Sequence, residues 1–454
     1  MTDAVLQSDG DIVMQLRGLV SAPGDEGYVA ATSIWARQRD VRPRFVVHCR
    51  TANDVQAAIR AARERNLPLS VLGGGHDWAG RALCDGVVID LTRMRAVIMD
   101  SDRRAVTAGG GARVRDITAV TDGHDLAVVA GSVDSVGMAG LTLGGGYGPL
   151  IGRFGLALDN LLDAQVVLAD GQIVFANAER NEELFWALRG GGGNFGVVTA
   201  LRYRLHELPN IQSGMLSYPL GEAQSVLEIC AAVTASAPDE LSVQFGIVAG
   251  PDGSFNVLVI PTWCGAIEEG ESWLASMMDL GTLLSGSIEQ KSYGALLRTF
   301  DGFITDGLRV FLDCCWLPAL DPGSIQTLVS AMKNAVSPAC AIFTHHFRAA
   351  ATNVPVEETA FGLRREHILV EILTMLPGDS SLREELQHLD WIRNTRDALR
   401  SALPGGYPNM LGRNETARAT ESFGPNAARL MRAKRQYDPD NLFSSAISLP
   451  ADSA

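Results

Sequence analysis

The chain has 454 residues, of which 46% are hydrophobic and 20% charged, a composition typical of an ordinary globular protein with two or three domains. Its formal net charge of −14 argues against nucleic-acid and anionic-membrane partners, which require a basic surface. The sequence contains no run of about 18 apolar residues, which a membrane span needs. The seven cysteines show neither metal-ligand spacing nor a disulfide framework. We therefore expect a cytoplasmic protein without a secretory signal.

The first 210 residues predict short strands alternating with helices. Apolar residues at helical spacing over 53–66 predict a helix, and "LPLSVL" after it predicts a buried strand that ends in glycines. "GVVIDLTRM" and "RAVTAGG" predict two more strands, and "VRDITAVTDGH" a second helix. "DAQVVLADGQIVFAN" predicts a hairpin around Ala-Asp-Gly, and "ERNEELFWALRGGGGNFGVVTALRYRL" a helix, a glycine-rich turn and a long strand.

The chain changes character near Pro209. Strand-like runs such as "LSVQFGIVAG", "RVFLDCCWL" and "HILVEILTML" then alternate with helices as far as residue 401. The turn in "AGPDGSF" favours antiparallel pairing, which predicts one sheet covered on one face by helices. The tail "RLMRAKRQYDPDNLF" predicts a helix and a turn that pack on the first domain. We therefore expect domains at 1–210 and 211–404 and a returning segment at 405–454.

Three glycine-rich stretches stand in the first 200 residues: Gly73, Gly74 and Gly75; Gly144, Gly145 and Gly146 with Gly148; and 190–193 with Gly196. Successive backbone N–H groups in such turns form concave sites for phosphate, which predicts a nucleotide cofactor. The GxGxxG pattern of dinucleotide-binding folds is missing in its usual place, and Tyr147 stands where a phosphate-binding loop has its lysine. These features disfavour both a Rossmann dehydrogenase and a P-loop NTPase.

In "VLGGGHDWAG" three glycines lead directly to His76. One interpretation is a tight turn with an ordinary loop histidine. The other is a backbone that lets a ligand approach closely, with the imidazole beside it.

Four segments together resemble the berberine-bridge-enzyme-like branch of the vanillyl-alcohol-oxidase flavoprotein superfamily: "LSVLGGGHDWAGRALCDGVVIDLTRMRAV", "AGSVDSVGMAGLTLGGGYG", "LRGGGGNFGVVTALRYRL" and "KRQYDPDNLF". The resemblance covers about residues 35–210 and 405–447. It implies an α+β flavoprotein with a PCMH-type FAD-binding domain that is built from both chain ends. This domain has two subdomains, and its core lies at about 38–208. A substrate domain with an antiparallel sheet is inserted between the two chain ends.

The resemblance also implies residue roles. The histidine after the glycines is joined to the flavin 8α-methyl in this family, and the match is His76. Many members add a second bond through a cysteine, but Val133 stands at that position, so we expect a single covalent attachment. Val136 matches a position beside the flavin where a small residue goes with oxygen access. The expected cofactor contacts are His76, Gly73, Gly74, Gly75, Asp77, Ser132, Val136, Gly137, Gly140, Gly144, Gly145, Gly146, Gly148, Asn194, Gly196, Val198 and Asn409.

Glu371 is the first candidate for the catalytic base. It lies seven residues after Arg364, where family members place Gln or Glu towards flavin N5, and it interrupts the apolar strand between Val370 and Ile372. An unpaired buried carboxylate has a raised pKa, which suits a general base. The other interpretation places Glu371 on a solvent-facing side of the strand.

Tyr407, in "GGYPNMLG", is the second candidate for the base, if a partner lowers its pKa; packing against the flavin is its alternative role. In "FTHHFRAA" strand alternation sends His345 and His346 to opposite faces, so we predict no metal site, although one of them lines the substrate cavity.

We therefore expect an FAD-dependent oxidase that oxidises an alcohol, phenol or amine of a small organic substrate, with O2 as acceptor and H2O2 as product. The alternatives are an oxygenase that acts through a flavin N5-oxide on a polyketide or other secondary metabolite, a dehydrogenase with non-covalent FAD, and a flavin-loaded binding protein without turnover. The sequence leaves the oligomeric state and the identity of the substrate open.

Overall fold

A computed structural model describes residue 16 and residues 18–413 and 415–449 of the chain. It is the mixed α+β architecture expected from the sequence, with two smaller sheets in the first 207 residues and one large antiparallel sheet after them. Within these residues no helix is both long enough and apolar enough to cross a membrane.

The first sheet has four strands in the order β1-β2-β4-β3, of which the last three are parallel. The capping box of Thr51 and Asp54 starts helix α2, whose apolar face packs on this sheet. The strands and helices are β1 (Val20–Ser21), α1 (Glu26–Thr32), β2 (Phe45–His48), α2 (Ala52–Glu64), β3 (Leu69–Leu72) and β4 (Val87–Asp90).

The second sheet has five antiparallel strands in the order β5-β6-β10-β8-β9, and β7 pairs with β11 beside it. The predicted hairpin is formed by β8 and β9. The elements are β5 (Val97–Met99), β6 (Ala105–Gly109), α3 (Val114–Thr121), β7 (Leu126–Ala127), α4 (Met138–Gly144), α5 (Ile151–Phe154), β8 (Leu161–Val167), β9 (Ile173–Asn177), α6 (Glu182–Leu188), β10 (Val197–Arg204) and β11 (His206–Glu207).

The third sheet runs in the order β16-β12-β15-β14-β18-β19-β17, with β13 also paired to β15. Its elements are β12 (Ile211–Ser213), β13 (Leu216–Pro219), α7 (Ala223–Ser236), β14 (Leu241–Ala249), β15 (Phe255–Trp263), α8 (Ile267–Met278), β16 (Glu289–Lys291), α9 (Tyr293–Leu297), β17 (Arg309–Leu317), α10 (Pro322–Lys333), β18 (Cys340–Phe347), β19 (His367–Leu376) and α11 (Leu382–Ala398).

Strand alternation gives this sheet two different faces. Val370 and Ile372 of β19 lie in a core shared with residues of α7, α10 and α11, whereas Glu371 between them points to the other side. The prediction of an antiparallel sheet covered by helices on one face is therefore confirmed, and its uncovered face is free to form a cavity wall.

The C-terminal segment packs back on the first part of the chain through helices α12 (Thr416–Phe423) and α13 (Ala427–Tyr437). Arg429 of α13 pairs with Glu183 at 2.7 Å. The buried Lys434 side chain binds Asp438 at 2.6 Å and donates to the Asn194 carbonyl at 3.1 Å. The exact domain boundaries at 210 and 404 stay a prediction.

Candidate active site

One cavity of about 700 Å³ lies between the glycine-rich loops of the first part of the chain and the uncovered face of the large sheet. Its first end is formed by the loop of residues 73–78 and the loop that runs from 131 to Gly137. Its second end is formed by β14, β15, β17, β18 and β19. Asn409, Phe443 and Ile447 of the C-terminal segment complete the wall.

The two loops meet backbone to backbone at Gly74 and Gly137. A Cβ atom built on Gly74 would lie 2.3 Å from the Gly137 Cα, so neither position has room for a side chain. Gly140 and Gly193 also line the cavity, but a Cβ atom there would meet nothing within 4 Å. Glycine thus allows the two loops to touch at Gly74 and Gly137, and it leaves open space over the backbone at Gly140 and Gly193.

His76 lies in the wall formed by the first loop. Its ring stacks in parallel on Trp35, with ring centroids 4.1 Å apart and planes 2° apart. Burial lowers the pKa of His76 to about 4, against the opposing effect of Asp77. The imidazole is therefore neutral near pH 7, and a neutral ring nitrogen is a nucleophile.

The residues present fit an FAD molecule. FAD needs hydrogen-bond donors for its phosphates and ring carbonyls, and an open backbone for its flat ring system. Arg81 Nη1 and Trp35 Nε1 are buried donors in the cavity wall that have no partner among the described residues. Together with the open backbone at Gly140 and Gly193, they provide a cradle of the required chemistry.

Several of the predicted cofactor contacts lie in the cavity wall, and others do not. The former are Gly73, Gly74, Gly75, His76, Asp77, Ser132, Val136, Gly137, Gly140, Gly196, Val198 and Asn409. Gly144, Gly145, Gly146, Gly148 and Asn194 are not among the residues that line this cavity. The cofactor contacts predicted at these five residues stay a prediction.

The second glycine-rich stretch instead contacts two side chains of the C-terminal segment. The Gly146 N–H donates to the Tyr407 hydroxyl at 2.7 Å, and a Cβ atom on Gly144 would lie 2.3 Å from the Asn409 side chain. Asn194 donates to the carbonyls of Gly191 and Ile447 and so ties its turn to the chain end.

Glu371 lies at the second end of the cavity in a cluster of polar side chains. Its Oε1 atom accepts a hydrogen bond from the Tyr147 hydroxyl and lies 2.9 Å from His345 Nε2. The Glu371 side chain is 13% exposed, so the prediction of a solvent-facing glutamate is excluded. Tyr147 also packs edge-on against Tyr407, with centroids 4.9 Å apart.

The pKa of Glu371 differs from the expected direction. Burial alone would raise it, but the field of His345 and the hydrogen bonds from His345 and Tyr147 outweigh burial and hold the pKa below its ordinary value. The expectation of an unpaired carboxylate with a raised pKa is wrong, because two partners distant in sequence reach it.

Both tyrosines of the cluster stay protonated. Burial, together with the neighbouring Glu371 charge, holds the pKa of Tyr147 well above its ordinary value. Burial also raises the pKa of Tyr407, against the hydrogen bond from Gly146. The lowered pKa that a base at Tyr407 requires is therefore not found, and this tyrosine fits a packing role better.

The two adjacent histidines lie on opposite faces, as strand alternation predicts. His345 lines the cavity, and His346 pairs with the exposed Glu366 at 2.7 Å on the other side. Among the described residues no group of three or more His, Cys, Asp or Glu side chains is placed to hold a metal ion.

Apart from this cluster and Gln244, the second end of the cavity is mainly apolar. Its side chains come from the sheet and from the segment before β17, and include Leu258, Phe300, Ile304, Leu308, Leu312, Phe343, Leu373 and Met375. A ligand there meets the Glu371 cluster and Gln244, and otherwise apolar side chains.

Comparison with known proteins identifies this architecture. The family described as "FAD binding domain" matches residues 43–177, and the family "Berberine and berberine like" matches residues 406–450. The chain is 30% identical over 451 residues to an (R)-6-hydroxynicotine oxidase of Paenarthrobacter nicotinovorans, covering 95% of this chain and 96% of that protein. It is 29% identical to an FAD-linked oxidoreductase of Aspergillus terreus, covering 94% and 93% of the two chains.

Solved structures agree. The crystal structure of a 6-hydroxy-D-nicotine oxidase from Arthrobacter nicotinovorans superposes with a TM-score of 0.86 at 27% identity, covering 94% of this chain and 96% of that one. A berberine bridge enzyme variant bound to (S)-reticuline shares the fold, with a TM-score of 0.86 at 19% identity over 99% of both chains. The fold is thus that of an FAD-dependent oxidoreductase. The chain belongs to the berberine bridge enzyme-like family of FAD-linked oxidoreductases, as its motifs indicated.

Proposed function

We propose that this protein is an oxidase that holds FAD by a single covalent bond to His76 and removes two electrons from an alcohol, phenol or amine of a small organic substrate. The observation that carries the proposal is the buried Glu371 carboxylate at the apolar end of a cavity whose other end is built from glycine loops and a neutral His76. FAD, when bound, accepts the two electrons with a hydride and passes them to O2, which gives H2O2.

Glu371 acts as the proton acceptor. The Tyr147 hydroxyl and His345 Nε2 both contact Oε1, which leaves Oε2 to accept the proton of a substrate O–H or N–H. Because the pKa of this carboxyl is lowered, it is ionised across the neutral range and loses its role as a base only when the pH falls below the ordinary glutamate range. His345 and Tyr147 keep the carboxylate in one orientation, which a base must have at the moment of transfer.

The walls favour a compact, largely apolar substrate with one ionisable or hydroxyl group. Leu312, Phe343 and Leu373 offer no hydrogen bonds to a sugar chain, whose hydroxyls would be left unpaired. The named activity of the 30% identical relative, on a hydroxylated nicotine, is of this compact type.

The single attachment rests on the residues present at two positions. His76 carries the neutral nitrogen that can form the bond, and Val133, which lines the same cavity, has no atom that can form a second one. Acid precipitation followed by digestion and weighing of the yellow peptide tests this: one flavin on one peptide containing His76 is expected. Flavin left in the supernatant would favour a dehydrogenase with dissociable FAD.

Glu371→Gln tests the base. We expect the rate of flavin reduction by substrate, followed anaerobically, to fall by about 10²- to 10⁴-fold while the flavin content stays that of the wild type. Glu366→Gln is the matched control, since Glu366 also pairs with a histidine at 2.7 Å but is 63% exposed and lies outside the cavity. A Glu371→Gln protein that reduces its flavin at the wild-type rate would refute the assignment. Peroxide measured per turnover distinguishes an oxidase from an oxygenase.

A further inference from the structure

Trp35 faces His76 in a contact that no sequence motif indicated. The two rings lie parallel at a centroid distance of 4.1 Å, and both line the cavity. Trp35 is 7% exposed, so its ring is part of the interior and not a surface side chain.

The backbone of Trp35 is held from two sides. Its N–H donates to the carbonyl of Gly75, the residue before His76, at 3.3 Å. Its carbonyl accepts from Gly307 at 3.1 Å, and Ala36 forms a parallel bridge with Leu308. The backbone that carries the indole is thus fixed relative to the histidine loop by hydrogen bonds that do not depend on the imidazole.

We propose that Trp35 is the positioning residue for covalent attachment of FAD, holding the His76 ring in the plane from which its nitrogen meets the flavin 8α carbon. This inference rests on the proposed attachment at His76. The three residues before His76 carry no side chains, so this part of the chain does not constrain the second torsion angle of the histidine. The stacked indole supplies that constraint and excludes water from one face of the imidazole.

The attachment reaction requires the His76 nitrogen to lie close to the 8α carbon of FAD. A bond forms between the His76 nitrogen and the 8α carbon, one C–H bond of the methyl group and the imidazole N–H bond break, and the two electrons and two protons remain on the FAD ring system. O2 then takes them up as H2O2, which restores the oxidised cofactor. A nitrogen displaced by about 1 Å slows such a step by about 10²-fold.

The burial of His76 gives independent support. The low pKa of this imidazole has burial as its main cause, and the indole face is part of what buries it. Removing the indole therefore both frees the ring and exposes its nitrogen to water, and each change acts against bond formation at neutral pH.

The test compares Trp35→Leu with Trp35→Phe, since phenylalanine keeps an aromatic face and leucine does not. Protein produced without flavin is mixed with saturating FAD, and the fraction of flavin that resists acid precipitation is followed with time. We expect Trp35→Phe to stay within about threefold of the wild-type rate and Trp35→Leu to fall at least about tenfold. Each rate is expressed per FAD bound, because both variants lack the Trp35 Nε1 donor of the cavity wall. Trp273→Leu is the control and should attach flavin at the wild-type rate, because Trp273 packs against the core on the other face of the large sheet and does not line the cavity.

The outcomes distinguish positioning of His76 by an aromatic ring from simple filling of space by a large side chain. Equal rates of incorporation for Trp35→Leu and the wild type overturn the inference, as does a fall in the rate per bound FAD that is equal for Leu and Phe. If Trp35→Leu does not fold, Trp35→Met gives the same comparison with a flexible side chain. Wild-type protein that never acquires acid-stable flavin overturns the attachment at His76 itself, whereas a Leu variant that attaches flavin normally overturns only the role of Trp35.

Discussion

Gly74→Ala is predicted to separate the two loops that form the first end of the cavity, where we propose that FAD binds. The added Cβ atom would lie 2.3 Å from the Gly137 Cα and 2.4 Å from its N atom, whereas ordinary contact begins at 3.4 Å. The loops must therefore move apart by about 1 Å, and because the opposing atoms are backbone, no side chain can turn aside. Overpacking of this kind costs about 1–3 kcal/mol.

The displacement acts directly on the site, since His76 lies two residues beyond Gly74 and Val136 adjoins Gly137. We expect Gly74→Ala protein to fold with a lowered melting temperature and to contain less than about a tenth of the wild-type flavin, because a shift of 1 Å is enough to misplace the reacting groups. Flavin absorbance per protein and thermal unfolding measure both effects. Gly221→Ala is the control, since its Cβ atom meets nothing within 4 Å. Normal flavin content in Gly74→Ala would refute the steric reasoning.

Two other substitutions test contacts of the site and of the chain end. Tyr147→Phe removes a hydrogen bond that lowers the pKa of Glu371, so the acid limb of the kcat/KM profile should move to higher pH; a limb that stays in place contradicts the contact. Asp438→Asn breaks the buried pair with Lys434 and should lower the free energy of unfolding, measured by denaturant, by about 3 kcal/mol. Asp440→Asn, which breaks an exposed pair, should change it by less than about 1 kcal/mol, and equal losses would contradict the role of burial.

Much of the fold follows from local patterns. The apolar run of β19 interrupted by Glu371 predicts a strand with one polar residue on one face, and the structure has this arrangement. The hairpin of β8 and β9 follows from a turn sequence between β-rich runs. These elements are predictable because neighbouring residues decide them.

The electrostatics of the site depend on residues that are distant from one another in the sequence. Glu371 meets Tyr147 and His345, which lie 224 and 26 residues away along the chain, and only the folded arrangement reverses the effect of burial on its pKa. In the same way, Gly74 and Gly144 both stand in runs of three glycines. Only the packing shows that Gly74 lies in the cavity wall and that Gly144 contacts the Asn409 side chain. Trp35 stands in no motif, so its contact with His76 was missed.

The way the C-terminal segment closes the cavity has a consequence for biosynthesis. Asn409, Phe443 and Ile447 belong to the wall, and the Ile447 side chain packs within contact distance of Gly192. A ribosome that has translated the first 210 residues has therefore produced most of the FAD cradle without its last side. A nascent chain that is stalled before residue 447 lacks this wall of the cavity, and we expect it to retain less FAD than the full chain.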